Sequence, residues 1–475
     1  MRPSFNVTPR TLLQSVASSR AGWRRHWTVS ALAAVAAAGT LAAQQPPQAP
    51  AAPQQPSTIE LVITGEPGTP PRYAVPDFVA LTPDAAEIAR TLGQVLWDDL
   101  NFEREFYLLP RDTYASVAPA RTVEQVPFAS WRELGADAVV FGTVERKGQD
   151  VRVQVRLLNV RTRQAVFSKE YSGNVRNPRA YAHTMADEIH LQQRDVRGVA
   201  RTKLSFASDR NRERIVGTTE DRQVKEIYIA DYDGANQQRI TASRYLNLNP
   251  AWSADGRAIA YTSHRPTPLI FISFIYQGIL QNPTKGPDSY YTPAFSPDGK
   301  QIAYASNRDG NPEIYVMNID GTNSRRLTNH PAYEIAPTWS PNGTQIAFTS
   351  DRATPGQAQI YVMNADGTGV RRISTGESYA DRATWSPAPY NEIAFTARNA
   401  GGFDIKAYDL VTNQTRQLTF GEGANESPSY SPNGRHIAFT STRAGRVQVF
   451  TMTRDGRDVR QITRDGANQT PAWSN

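Results

Sequence analysis

Histidine is the side chain best placed to shuttle protons or hold a metal near neutral pH, and the chain has six: His26, His183, His190, His264, His330 and His436. None recurs at metal-ligand spacing. His183 and Asp187 lie one helical turn apart, but two donors do not make a metal site, so the pair reads as a polar helix face. Cysteine is absent, which removes disulfides, thiolate nucleophiles and thiolate-held zinc or iron–sulfur centres. No Gly-x-Ser-x-Gly elbow occurs. Asp233, Asp320, Asp366 and Asp455 each precede glycine, a pattern that turn chemistry already explains. Gly65-Glu66-Pro67-Gly68 lacks the following helix that a phosphate loop needs. These observations predict no catalytic residue, no metal and no cofactor. A propeller hydrolase or a sensor of a small ligand is the competing reading.

What remains is binding. Five short segments differ from one another while their surroundings repeat: Asn247-Leu248-Asn249, Ser289-Tyr290-Tyr291-Thr292, Ala332-Tyr333-Glu334-Ile335, Ser378-Tyr379-Ala380-Asp381-Arg382 and Ala424-Asn425-Glu426-Ser427. They read as loops gathered on one face around a channel mouth, a tyrosine-rich ring of mixed charge. Tyrosine and arginine are favoured interface anchors. The candidate partner-binding residues are Tyr290, Thr292, Tyr333, Glu334, Ile335, Tyr379, Asp381, Arg382, Asn425 and Glu426.

The elements that must position them repeat. Aromatic anchors at Trp252, Phe295, Trp339, Trp385, Tyr430 and Trp473 are spaced by 43, 44, 46, 45 and 43 residues. Most are followed by Ser-Pro-Asp-Gly or a close variant, a turn with proline at its second position and glycine where φ turns positive. An Ile-Ala-aromatic strand comes next, then a strand such as Glu313-Ile314-Tyr315-Val316-Met317, an Asp-Gly turn and Arg-Leu-Thr. Four short strands at this period are the signature of a propeller blade. The last anchor has no strand behind it, and the region after residue 202 lacks a first strand. Joining the two closes a ring of six blades and leaves no open edge. Arg325-Arg326 and Arg371-Arg372 recur at one repeat position and read as solvated strand edges. Leu269–Leu280 departs from the pattern and reads as an unusually buried hairpin between blades, with an exposed apolar patch as the alternative.

Residues 58–200 read as an α/β domain. Strands are expected at Ile59–Ile63, within Tyr73–Leu81, at Ala138–Phe141, from Val151 to Leu157 and at Ala165–Tyr171. Thr82-Pro83-Asp84 opens a helix with Thr82 as its cap, and Ile88, Leu92, Val95, Leu96 and Leu100 form its apolar stripe. Asn177-Pro178 opens another. Gly142 is expected to permit close approach. Residues 201–475 are the propeller. The fold class is therefore an α/β domain followed by an all-β six-bladed β-propeller.

Residues 1–43 carry Arg24-Arg25, an apolar run and a small-residue exit, as a cleaved signal peptide does. General secretion is expected ahead of twin-arginine export. No cysteine follows to take a lipid. Residues 44–57 form a Pro/Gln/Ala linker. The leader holds five of the 52 basic side chains and none of the 45 acidic ones, so the net charge of +7 falls to about +2 without it. A nucleic-acid partner is not expected.

Several features occur together in one order: Trp131-x-x-Leu134-Gly135-x-Asp137-Ala138-Val139-Val140-x-Gly142, His183-Thr184-x-x-Asp187-Glu188, Arg201-Thr202-Lys203 at the propeller entry, Asp231-Tyr232-Asp233-Gly234, and the final Pro-Ala-Trp-Ser. In these the chain resembles the TolB family of the Tol–Pal envelope system over residues 58–475. The resemblance implies a periplasmic, monomeric, non-enzymatic adaptor that reaches the membrane only through partners. Its propeller face would bind Pal, the peptidoglycan-associated lipoprotein. Its mature N-terminus would contact the inner-membrane protein TolA, a position held here by the Pro/Gln tract. The role implied is outer-membrane integrity during cell division.

Overall fold

The structure is a computed structural model describing residues 69–214 and 224–475. The signal peptide, the Pro/Gln linker and the strand at Ile59–Ile63 lie outside the described residues.

The α/β region contains β1 (Arg72–Ala74), β2 (Val79–Ala80), α1 (Ala86–Glu103), β3 (Tyr107–Leu108), α2 (Phe128–Glu133), β4 (Ala138–Lys147), β5 (Asp150–Asn159), β6 (Ala165–Asn174) and α3 (Pro178–Arg194). The sheet runs β3-β1-β4-β5-β6, with β2 added beside β4. β1 and β2 run parallel to β4, while β4, β5 and β6 form antiparallel pairs. Val151, Val153, Val155 and Leu157 alternate inward along β5, and the α1 stripe is buried against the same layer. A side-chain carbon at Gly142 would lie 2.3 Å from the Phe78 ring, so close approach is what that glycine permits.

Asn177 caps α3 as expected, its Oδ1 accepting from the Ala180 N–H at 3.3 Å. Thr82 does not cap α1. A 3-10 turn at Pro83–Ala85 intervenes, and the Thr82 hydroxyl accepts from the Arg146 N–H at 3.2 Å instead. The helix start is tied to the sheet rather than to itself.

Six four-stranded antiparallel sheets follow. The first blade pairs Asn468–Trp473 with Lys203–Ser208, so the closing strand comes from the C-terminal end. The others span 246–281, 290–326, 334–372, 380–417 and 425–461. The anchors explain their own recurrence. The indoles of Trp252, Trp339 and Trp385 donate to the first strand of the preceding blade, at Ala472 O (3.1 Å), Ala294 O (3.2 Å) and Thr338 O (3.2 Å). Each indole thus joins neighbours while filling the gap between them. Buried polar latches do the same further out. Asn247, Asn425 and Asn468 donate to Glu226 (2.9 Å), Asp404 (3.0 Å) and Gln448 (2.7 Å) of the blade before.

The second blade corrects the reading of residues 269–280. Ile270, Phe271 and Ile272 are buried in its third strand, and a short fourth strand, Ile279–Gln281, does form. Thr284 takes the place of the usual threonine, its Oγ1 accepting from the Ile270 N–H at 3.0 Å. The hairpin end is not buried, because Tyr276, Ile279 and Leu280 are exposed.

The α/β region and the propeller share one continuous core. Leu100, Phe102, Met185 and Ile189 pack with Tyr232, Leu204, Phe206 and Trp473. This overturns the polar-face reading of His183 and Asp187, since both are buried. His183 Nδ1 lies 2.8 Å from Asp99 Oδ2, and Tyr232 donates to the other oxygen of Asp99 at 2.7 Å. Asp187 accepts from the backbone N–H groups of Ala200 (2.9 Å) and Arg201 (3.2 Å). Burial disfavours a charged His183, but Asp231 and Asp99 outweigh it and lift its pKa to about 9. An imidazolium therefore sits in the joint at neutral pH.

Candidate protein-binding site

Alternating strands put the Ser-Pro-Asp-Gly turns and the Asp-Gly turns at one end of each blade. The α/β region occupies that end. Asn433 donates to Glu103 at 3.1 Å, and Arg104 pairs with Asp458 at 2.9 Å. The opposite face carries the starts of the first strands and the connections between blades, and it is the candidate site.

The segments expected as loops are strands here. Tyr290–Phe295, Glu334–Trp339, Ala380–Trp385 and Asn425–Tyr430 are first strands, and each slips register once near its start. The slip leaves one residue per blade with positive φ: Asn249, Thr292, Ala336, Arg382, Ser427 and Thr470, at 47° to 56°. Such backbone is unfavourable for these residue types, most of all for β-branched threonine. Hydrogen bonds between blades hold it. The N–H groups of Thr292, Ala336 and Ser427 donate to Thr262 (3.0 Å), Thr292 (3.2 Å) and Thr396 (3.0 Å) of the preceding blade. All but Arg382 precede proline. Together these six residues ring a channel segment of about 120 Å³.

Arg382 fills the axis. Its Nη1 donates to Asn249 Oδ1 at 2.9 Å on the opposite side of the ring. Asp381 accepts from the Thr349 hydroxyl at 2.8 Å and lies 3.8 Å from Arg382 Nε. Glu426 is half-buried beside them. Burial raises its pKa, Arg382 opposes that, and Asp381 adds to it.

Thr292, Asp381, Arg382 and Glu426 are therefore brought together at the channel, all partly exposed, while Ile335, also partly exposed, packs against the core between the third and fourth blades. Tyr333 and Tyr379 stand half-buried in the connections above. Tyr379 is held between Phe403, 5.8 Å away ring to ring, and the Arg398 guanidinium at 4.9 Å. Its phenol is pushed up to about 12 by burial and by Asp381.

Three expected residues do not face outward. Tyr290 is buried and its hydroxyl donates to Lys285 O at 2.9 Å. Asn425 is buried in its latch. Glu334 is buried, accepting from Ser350 Oγ at 2.7 Å and Arg352 Nη2 at 2.8 Å. Each begins a first strand and faces its neighbouring blade rather than solvent. Two exposed aromatics on this face were missed in the sequence, Phe420 and Tyr245. They stand in connections between blades, where the repeat gives no register from which to notice them. Among the described residues, no cluster of three or more His, Asp or Glu is arranged to hold a metal, and no helix is long and apolar enough to cross a membrane.

Residues 193–475 match the TolB beta propeller domain, and residues 59–166 match the TolB amino-terminal domain. The chain belongs to the TolB family. Tol-Pal system protein TolB of Desulfosudis oleivorans is 33% identical over 270 residues, covering 54% of this chain and 57% of that protein. The namesake from Anaeromyxobacter sp. strain K is 32% identical over 315 residues, 66% of this chain and 67% of that one. In several such matches the chain spans little more than half the length of the curated relatives. The crystal structure of TolB from Acinetobacter baumannii superposes with a TM-score of 0.70 at 26% identity, covering 86% of this chain and 97% of that one. A TolB-type α/β region docked on a six-bladed propeller is thus the architecture of this chain.

Proposed function

We propose that the chain is a periplasmic, protein-binding adaptor of the Tol–Pal system. In this reading it acts as a monomer without enzymatic activity. The propeller face remote from the α/β region grips a peptidoglycan-associated lipoprotein. The N-terminal segment, outside the described residues, reaches TolA and so links the lipoprotein to the inner-membrane Tol proteins. The result is support of the outer membrane during cell division. Curated relatives named as Tol-Pal system proteins support the system. The observation that carries the choice of face is the channel mouth. It combines a central arginine pinned by Asn249 and Asp381, a half-buried Tyr379 held by Phe403 and Arg398, and an exposed Phe420. Arginine and aromatic side chains already fixed in place lose little entropy on binding.

The test is capture of envelope proteins on the immobilised chain. The Arg382→Gln, Phe420→Asp double variant should still unfold in one cooperative transition and retain the lipoprotein at least about tenfold less well, the cost of losing one or two hot spots. Glu334 is unsuitable for this purpose, because a change there would disturb a blade joint. Recovery of no envelope protein, or equal recovery by the double variant, would sink the reading.

A further inference from the structure

The hairpin end of the second blade breaks the repeat, and the channel mouth makes no use of it. In the other five blades the turn between the third and fourth strands is polar. Asp233, Asp320, Asp366, Asp409 and Asp455 each accept a backbone N–H of their own turn there. The second blade has no acid at this place. Its third strand, Thr267–Phe274, and its short fourth strand, Ile279–Gln281, are joined by Ile275-Tyr276-Gln277-Gly278. Tyr276 is 71% exposed, Ile279 54% and Leu280 52%. Phe274 and Ile275 beneath them pack into the propeller, so an apolar tip projects from a fixed base.

What can cover this tip follows from its size and its backbone. A fully covered aromatic side chain buries about 150–250 Å², so at these exposures the three side chains offer roughly 300 Å² together. A stable protein interface takes about 800 Å² from each partner. The tip is too small to hold a second copy or a folded partner by itself. A fluid bilayer makes no such demand, because apolar side chains enter it one by one and tyrosine favours its boundary with water. Leaving water also requires a backbone that is already paired. The N–H groups of Ile275, Gln277 and Gly278 meet this condition, donating to Arg257 O at 3.1 Å and to Phe274 O at 3.2 and 3.0 Å. The nearby charges are mixed, Arg257 standing by Asp255 and Lys300 by Asp298. Attraction here comes from apolar surface rather than from charge.

We infer that Tyr276, Ile279 and Leu280 form a wedge that dips into the surface of a lipid bilayer. The wedge stands at the end of the propeller that carries the α/β region. A lipoprotein gripped at the channel mouth and a membrane touched by the wedge therefore lie on opposite faces, and both can be bound at once. The inference rests on the envelope location proposed above, and its failure would leave lipoprotein capture at the channel mouth intact.

The test is sedimentation of residues 44–475 with vesicles of phosphatidylcholine, with and without phosphatidylglycerol. The apolar leader is left off so that it does not bind in place of the wedge. A myristoyl chain alone binds membranes at about 10⁴ M⁻¹; three partly exposed side chains offer less, so half-binding is expected between about 0.1 and 5 mM lipid. Both kinds of vesicle should carry the protein down, also in about 0.5 M salt, which screens surface charge. The Tyr276→Ser, Ile279→Ser, Leu280→Ser triple variant should unfold cooperatively, capture the lipoprotein as wild type does and bind lipid at least about tenfold less well, the worth of roughly two buried CH₂ groups. Tyr276→Trp should bind no more weakly than wild type, and its added indole emission should move to shorter wavelength on vesicles. An unmoved emission, or no sedimentation by about 5 mM lipid, overturns the inference. Binding that the triple variant keeps, or that needs phosphatidylglycerol and vanishes in salt, overturns it equally. Loss of lipoprotein capture by the triple variant without any vesicle binding would make the tip a protein contact and overturn it too.

Discussion

Glu334 makes a prediction that the sequence alone would have got backwards. It begins the first strand of the fourth blade, where the first, second and sixth blades carry asparagine. Those asparagines donate to an acid or glutamine at the start of the third strand in the blade before. At this joint the corresponding residue is Glu313, so acid faces acid. Both are fully buried, and Glu313 Oε2 has no partner among the described residues. Glu334 is raised from 4.5 to about 7: burial drives the rise, Arg352 and Ser350 oppose it, and Glu313 adds to it. A rise of that size corresponds to about 3 kcal/mol. The sign follows from the raised value. The contribution is fully present below pH 4.5 and is lost as pH climbs through about 7. Glu334→Gln supplies the missing amide donor and removes the charge. Arg352 then exchanges a carboxylate for an amide oxygen, a loss of about 1 kcal/mol. The net expectation is a gain of about 2 kcal/mol at pH 8 and little change at pH 5. Guanidinium chloride unfolding of both proteins at the two pH values reads this directly. A variant less stable than wild type at pH 8, or a difference that does not change with pH, would refute the acid-against-acid account.

Three further outcomes are expected. His183 carries a raised pKa of about 9, so its contribution is complete below pH 6.5 and lost as pH rises through 9. His183→Gln should cost up to about 3 kcal/mol at pH 7 and remove the alkaline fall in melting temperature expected of wild type. Gly142→Ala should drive its new methyl into the Phe78 ring and cost about 1–3 kcal/mol, read by chemical denaturation. Trp473→Ala empties a buried site at the ring closure and removes the donor to the Thr202 hydroxyl at 2.7 Å, so about 3–5 kcal/mol should be lost in the same assay.

The propeller was legible because the blades solve one problem with similar residues. An aromatic anchor, an indole in four of the six blades, recurs as a period, and so in most blades does a turn whose glycine needs positive φ. Even the split blade could be assigned from what was missing at each end. The channel site was legible only in part. Asp381, Arg382 and Glu426 reach the channel mouth as expected, though from first strands rather than loops, but Tyr290, Glu334 and Asn425 do not. Whether a residue at a strand start points to the axis or to the next blade depends on the bulge, and the bulge is set by hydrogen bonds between blades. His183 and Asp187 were misread for a related reason. Their spacing marks one helix face, and only the docking of that face on Asp231 and Tyr232 decides that it is dry.

The closing strand has a consequence for how the molecule comes into being. Residues 468–473 pair with 203–208, so the most distant parts of the propeller must meet before the ring exists. Contacts this remote along a chain form slowly, because the entropy of a long loop is lost before any contact repays it. A growing chain emerging in order therefore carries one bare strand edge, along residues 203–208, until residues 468–473 arrive. Loss of only that last strand would leave a permanently open ring, prone to cleavage and to joining with other chains. Assembly behaves like a clasp: nearly all of the necklace can be strung and still be unwearable until the last link engages.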